Sequence, residues 1–402
     1  MRYLGNKDSL CEKIKEIISS KVEINENTIF FDAFCGTGTM ANAFKSECNV
    51  IINDNLHCAT TYAYGCIVSA QCKFKKLGFN PINYFNSNKE TIKGYFYENY
   101  SPGNSSRMYF SEYNAGRIDF FRNTIEKWYI EKKINGDEYK YLLACLVESV
   151  SFVANTAGVY GAYLKKWDDR ALKDIKFLTV DDGINLNGKV SMYSDKIENI
   201  IEEIPCDVLY LDPPYTQNQY GTQYHLLETL ILNDKPKNIS KVTGSRSTRE
   251  MRSDWSKKYK AHILLDKILA KTNAEHIFLS YNNDGDMSKE YIEAIMKRYD
   301  INTSHIVRLN EVELDGDKYE IRYKDECIHL PLKQFELLFE LAKHPNQIFS
   351  REQLIEKIWG MDYDGFDRTV DVHIKRIREN IGHLPGFNVV TVRGLGYKVE
   401  VE

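Results

Sequence analysis

The chain has 402 residues, 43% hydrophobic and 27% charged, with a formal net charge of -4. That length exceeds what one core usually organises, so two globular domains are expected, and the charge excludes a surface coated in basic residues while leaving room for local basic stripes. No apolar run approaches the roughly 18 residues of a membrane span, and nine scattered cysteines without a Cys-x-x-Cys pair point to a reducing cytoplasm, with no membrane partner, no disulfide framework and no structural zinc.

Near the amino terminus, Tyr3-Leu4-Gly5-Asn6-Lys7 is a glycine-bearing turn ahead of a helix expected from Ser9 to Ser19; taken alone, Lys7 reads as a solvated lysine. Thr28 to Phe34 is β-branched and aromatic enough to predict a strand. It runs into Cys35-Gly36-Thr37-Gly38-Thr39 and a short helix from Met40 to Lys45. Gly36 and Gly38 permit a tight turn and close backbone approach to a ligand, while the missing third glycine of the dinucleotide fingerprint disfavours a nicotinamide cofactor. A second strand, Asn49 to Asn53, ends in Asp54, about twenty residues beyond Asp32, the spacing at which such folds set an acid against ribose hydroxyls.

Roughly 150 residues then pass before the next informative strand, more than ordinary connections supply, so an insertion over about 70–190 is expected. Its aromatic stretch Gly94 to Pro102, followed by Arg107, Arg117 and Arg122, suits either base stacking with phosphate contact or the core of a helical subdomain, and the core reading is preferred for most of these side chains. Glu138 to Val153 reads as a buried helix. The loop Asn155 to Lys166 is glycine-broken, aromatic and basic, which makes Asn155, Tyr160, Lys165 and Lys166 the candidates for touching DNA. Asp195, after a strand beginning at Val190, is a further carboxylate able to bond a cofactor's adenine amine.

Asp207 to Leu211 predicts a short apolar strand that Pro213 and Pro214 cannot extend, so Asp212 should stand at its carboxyl end, where open α/β sheets bind ligands. The Asp212 carboxylate and the Pro213 carbonyl can accept the two hydrogens of an adenine N6, favouring a transition state in which its lone pair points at an electrophilic methyl, and Tyr215 offers a face for the base. Asp-Pro-Pro-Tyr is equally a stiff turn if considered alone. Gln219 to Leu226 begins a helix, and Arg246, Arg249 and Arg252, followed by Lys257 and Lys258, form a basic stretch suited to a DNA backbone. His276 to Tyr281 is a further strand; His225 and His276 have no partner spacing for a metal or a general base.

Tyr3 to Lys7, Asp32-Ala33-Phe34-Cys35-Gly36-Thr37-Gly38 and Asp212-Pro213-Pro214-Tyr215, in that order, resemble the Dam-like class of S-adenosylmethionine-dependent DNA adenine-N6 methyltransferases over most of residues 1 to about 305, with Asn6 where relatives often carry a second glycine. The resemblance implies a Rossmann-like methyltransferase sheet with an inserted target-recognition region. Asp32, Phe34, Gly36 and Gly38 would form the S-adenosylmethionine site. Tyr3 and Lys7 would lie at the methionine end and Asp54 on the ribose, and Asp212, with Pro213, Pro214 and Tyr215, would stand between cofactor and target amine. No metal is needed for this transfer.

From Val307 the pattern changes to short strands, Val312 to Leu314, Tyr319 to Tyr323 and Cys327 to Leu330, then helices from Lys333 to Lys343, after Ser350, and from Arg368 to Ile381, and a hairpin from Val389 to Val399. In the last helix Val370, Ile374, Ile377 and Ile381 share one face, and Arg368, Thr369, Asp371, His373, Arg376 and Arg378 the other. Arg368 to Ile374 with Val392-Arg393-Gly394-Leu395-Gly396-Tyr397 resembles the OmpR-type winged-helix effector domain of response regulators. Carried over, Arg368, Thr369, His373 and Arg376 would face the major groove, and Arg393 on the wing the minor groove or a phosphate; no receiver segment is evident.

The expectation is therefore an α/β methyltransferase domain over 1–306 and an α+β winged-helix domain over 307–402, acting on double-stranded DNA with S-adenosylmethionine. Such enzymes generally belong to restriction-modification or epigenetic marking systems, so a cognate restriction endonuclease is a candidate partner. The alternatives are a DNA-binding regulator with a vestigial methyltransferase half, and methylation of RNA or of a protein amide.

Overall fold

A computed structural model describes residues 3–4, 7–215, 217–282, 285–299, 306–316, 319–324, 326–359 and 368–401. The chain divides into two compact units, Met1–Tyr299 and Asp300–Glu402. The division precedes the expected 306/307 boundary because the strand at Ile306–Leu309 pairs antiparallel with Val312–Asp315 and so belongs to the second unit.

In the first unit, β1 (Ile29–Asp32), β2 (Asn49–Asn53), β3 (Val190–Tyr193), β4 (Val208–Leu211) and β5 (His276–Leu279) form one parallel sheet in the order β3-β2-β1-β4-β5. Alternate side chains of the central strands point to opposite faces. Phe30, Val50, Ile52 and Tyr210 pack with Met40 and Phe44 on one face, while Phe31, Leu209 and Leu211 pack with Ile201, Leu265 and Ile268 on the other. Burial on both faces is why β1 and β4 read as apolar runs. Helices α1 (Cys11–Ser19), α2 (Thr39–Phe44) and α3 (His57–Val68) belong to this frame.

Between β2 and β3 the expected insertion is helical: α4 (Pro81–Ser87), α5 (Tyr95–Tyr100), α6 (Glu112–Ile130) and α7 (Gly136–Val153). Asn135 and Glu138 cap α7 reciprocally, bonding each other's main-chain N–H and fixing where the helix starts. The aromatics Phe96, Tyr100, Tyr109, Phe120 and Phe121 lie in its core, as the preferred reading had it. Arg107, Arg117 and Arg122 are buried with them, each donating to main-chain carbonyls: Arg107 to Asn99, Ser240 and Lys241, Arg117 to Phe85 and Glu90, Arg122 to Leu230 and Ile231.

After β3 come α8 (Ile197–Ile200), then, beyond β4, α9 (Tyr220–Gln223), α10 (His225–Leu232), α11 (Lys258–Lys271) and α12 (Lys289–Arg298). The helix expected from Gln219 is broken at Tyr224, whose ring is fully buried and stacked on Tyr3 at 4.6 Å.

In the second unit, β6 (Ile306–Leu309), β7 (Val312–Asp315), β8 (Glu320–Tyr323) and β9 (Glu326–His329) form an antiparallel sheet, followed by α13 (Leu332–Lys343), α14 (Arg351–Trp359), α15 (Arg368–Ile381) and the hairpin β10 (Phe387–Val392) with β11 (Gly396–Val401). Val370, Ile374, Ile377 and Ile381 are buried, so α15 turns inward the face its spacing predicts. Three helices with a carboxyl-terminal hairpin make a winged helix. Among the described residues no helix is long and apolar enough to cross a membrane, and all nine cysteines are free.

Helices α3 and α7 meet at Gly65, where an added Cβ would come within 2.5 Å of the Ala144 Cβ and 2.8 Å of the Lys140 carbonyl oxygen. Gly65→Leu should force the helices apart at a cost of about 1–3 kcal/mol, read as a lower urea midpoint. Gly136→Ala, where an added Cβ meets nothing, is the control and should leave that midpoint nearly unchanged.

Candidate active site

Strand order reverses between β1 and β4, and Asp32 lies beside Tyr210 in their ladder, so the two strand ends open into one crevice. β4 stops at Leu211 because Pro213 and Pro214 have no N–H for a ladder, leaving Asp212 at the tip. The Lys7 ammonium pairs with Asp212 at 3.0 Å and stands 5.5 Å from the Tyr215 ring centre. Tyr215 packs edge-on to Tyr281 at 6.4 Å.

On the β1 side the chain turns through Gly36 and Gly38, with φ of +51° and +79°. These values favour glycine, and close approach adds to them: a Cβ on Gly38 would meet the Ala63 Cβ at 2.6 Å, and one on Gly36 would meet the Tyr3 ring at 3.0 Å. The Gly36 N–H donates to Asp54 Oδ2 at 3.2 Å, and the Leu56 N–H to its Oδ1 at 3.0 Å. Tyr3 is held over this turn by Tyr224, whose hydroxyl accepts from the Leu4 N–H at 2.8 Å.

Three carboxylates therefore converge with one lysine among them. Burial pushes Asp32 up to about 8, with the Asp212 charge adding to the shift; Asp32 Oδ2 accepts from the Ala41 N–H, while Oδ1 is buried without a partner. Burial also raises Asp54 to about 6 against the pull of its main-chain donors, and Asp212 to about 6 against Lys7. Such a site is short of positive charge and favours a ligand that brings some.

Asp32, Phe34, Gly36, Asp54, Asp195, Asp212, Pro213, Pro214 and Tyr215 all line one open pocket of about 940 Å³, together with Tyr3 and Lys7; Gly38 sits just behind it as the cap of α2. Asp195 is exposed at the rim, its N–H bonded to Asn53. Gly5 and Asn6 lie outside the described residues. Sequence reasoning missed Trp255, which meets Phe34 edge-on at 5.1 Å and donates to Glu198, and also Tyr220 and Met251. No motif marks them; only the packing of α9 and the chain before α11 brings them in. Asn53, beside Asp54 at the end of β2, could have been found from its position.

The candidates for touching DNA divide. Lys165, Lys166, Arg249 and Arg252 are exposed. Asn155 and Tyr160 correct the expectation: both are buried, Asn155 bonding the Met108 and Leu164 carbonyls and the Asp168 N–H, Tyr160 bonding Ser151 through its hydroxyl. They hold the loop together from inside. Arg246 is also engaged, its guanidinium forked onto Asp234 at 2.9 and 2.6 Å, and Lys257 pairs with Asp254 at 2.6 Å. His225 is buried against the Tyr160 carbonyl, and burial lowers it to about 4.

In the second unit Arg376 and Arg393 are exposed, Thr369 is half-buried, and the Arg368 side chain lies outside the described residues. His373 is half-buried, its ring edge-on to Trp359 at 5.1 Å. Arg378 is exposed but tied to the hairpin, donating to Val389 and Thr391, and the half-buried Asp371 accepts from Arg351 and Tyr397.

A family model described as D12 class N6 adenine-specific DNA methyltransferase matches residues 3–300, and one described as transcriptional regulatory protein, C terminal, matches residues 325–399. The type II methyltransferase M.FokI of Planomicrobium okeanokoites is 36% identical over 338 residues, 82% of this chain and 51% of that protein. The type II methyltransferase M.NlaIII of Neisseria lactamica is 31% identical over 350 residues, 83% of this chain and 100% of that protein. The heme response regulator HssR of Staphylococcus saprophyticus is 47% identical over 110 residues, 27% of this chain and 49% of that protein. The chain thus spans about half the length of M.FokI.

Lys7 is what lowers Asp212 against its burial. In Lys7→Met the Asp212 carboxyl should titrate above about 6, followed by the carboxyl carbon's chemical shift. An unchanged midpoint would mean that the ion pair does not persist in solution.

Proposed function

The chain belongs to the D12 class of N6 adenine-specific DNA methyltransferases, and on that footing we propose that it transfers a methyl group from S-adenosylmethionine to the N6 of one adenine in duplex DNA, with the second unit adding a further DNA contact. The observation that carries this reading is Asp212, at the tip of β4 beside a pocket that also holds Asp54, Gly36 and the unpartnered oxygen of Asp32.

The pocket fits the cofactor on chemical grounds. Its converging carboxylates suit a ligand bearing two positive charges, and its glycine turn lets a large ligand approach the main chain. Asp54 would hold the ribose hydroxyls, Tyr3 and Lys7 the amino-acid end, and Asp195 the adenine amine, with Asp32, Phe34, Gly36 and Gly38 shaping the site. When bound, the cofactor supplies a methyl on a cationic sulfonium, open to direct attack.

The target adenine has to leave the stack to reach this depth, and Tyr215 gives it a ring face to lie on. Its N6 lone pair is delocalised into the ring and weakly nucleophilic. The Asp212 carboxylate and the Pro213 carbonyl accept the two N6 hydrogens, so the nitrogen is favoured in the geometry that turns its lone pair out of conjugation. The proton released by N6 leaves by way of Asp212 to water. Direct transfer asks nothing of the cysteines.

Supplied with labelled S-adenosylmethionine and unmodified genomic DNA, the protein should place N6-methyladenine in one short motif. Incorporation into RNA or protein alone would overturn the reading. Asp212→Ala should reduce transfer by a factor on the order of 10³ while leaving cofactor affinity within a few-fold; retained turnover would mean that the chemistry lies elsewhere. Because Asp212 must be ionised to accept both hydrogens, activity should fall on the acid side, with the free protein's limb near pH 6. Replacing Arg376 and Arg393 together by alanine should weaken DNA binding and flatten its salt dependence by up to about one unit per lost phosphate contact, read by anisotropy across a salt series.

A further inference from the structure

The outer face of the second unit's sheet carries a group that methyl transfer does not use. β8 and β9 pair with Glu320 opposite His329 and Arg322 opposite Cys327, and because side chains alternate along a strand these four share one face. Glu320, Cys327 and His329 each offer one ligand atom, and the three atoms lie within 4.8 Å of one another. Among the described residues they are the one such group of three.

The spacing is close to what an ion requires. Cys327 Sγ stands 3.8 Å from His329 Nε2. A tetrahedral zinc ion held at about 2.3 Å by sulfur and about 2.1 Å by nitrogen would set those atoms about 3.6 Å apart, so the pair is within a few tenths of an ångström of ligand geometry. A hydrogen-bonded strand ladder supplies the rigidity, since Cys327 and His329 are fixed two residues apart on β9 and Glu320 is fixed across from His329.

We propose that Glu320, Cys327 and His329 bind one zinc ion on this sheet, with the fourth position open to water. The mixed sulfur, nitrogen and oxygen set favours zinc over magnesium or calcium, which take oxygen ligands. Arg322 donates twice to one oxygen of Glu320, at 3.1 and 2.7 Å, which orients the carboxylate. Binding forms the zinc–sulfur bond and releases the thiol proton to water.

The test uses the whole 402-residue chain, stripped with a chelator and titrated with zinc chloride by calorimetry, then with cobalt(II) to look for a thiolate-to-cobalt absorption band. Cys327 is the one exposed cysteine of the nine, so slowed labelling by a thiol reagent in the presence of zinc reads the same site independently. One equivalent should bind, the cobalt band should appear, and Cys327→Ser and His329→Ala should each weaken zinc by more than about tenfold. Methyl transfer should persist in both variants, and far-UV circular dichroism and thermal melting matching the wild type should confirm that the second unit folds. Should either fail to fold, alkylating Cys327 in the folded wild-type protein must abolish the same uptake. Absence of zinc uptake by the wild type, uptake unchanged by alkylation or in both folded variants, or a cobalt complex without the thiolate band would each overturn the proposal.

Discussion

Burying carboxylates beside one another is costly, and the first unit does so where its sheet reverses direction. Asp32 and Asp212 stand at the ends of β1 and β4, strands locked side by side by parallel hydrogen bonds, so neither acid can retreat from the other without unpicking the centre of the sheet. Lys7 relieves part of the repulsion from a segment that is itself anchored elsewhere, through Tyr3 and Leu4 on Tyr220 of α9 and on Tyr224 just after it. The amino-terminal segment, the glycine turn and the tip of β4 are thus joined through charge as well as packing.

Much of this arrangement is legible in the sequence, and the physical reasons are uneven. β1, β2 and β4 could be read because a strand covered on both faces must be apolar and a strand that stops at two prolines must stop there. The bounds of α15 follow from a helical period in which Val370, Ile374, Ile377 and Ile381 all turn inward. Composition fails where inside and outside look alike. Asn155 and Tyr160 sit in a polar, aromatic loop that resembles a binding surface, yet their polar atoms answer interior carbonyls and hydroxyls. Arg246 resembles a phosphate ligand until Asp234, twelve positions earlier, is found against it. Trp255 and Tyr220 enter the pocket through contacts between distant segments, which no local pattern encodes.

The second unit obeys the same distinction. Its α15 was expected to show an open polar face; Arg378 and Asp371 on it are tied to the hairpin and to α14, while Arg376 is exposed midway along the helix and Arg393 on the wing. A polar residue on a helix is available to a ligand only when no neighbouring element has claimed it.

Arg107 has a different reach. Its guanidinium joins the Asn99 carbonyl, in the last turn of α5, to those of Ser240 and Lys241, more than a hundred positions along the chain, and the Tyr100 hydroxyl reaches Gly244 in the same stretch. The helical insertion and the loop between α10 and α11 are therefore one mechanical piece made from two separate runs of sequence. Recombination that exchanges the insertion alone between relatives would leave that loop without its anchor, so such an exchange has to carry both segments together or rebuild the contact from one side.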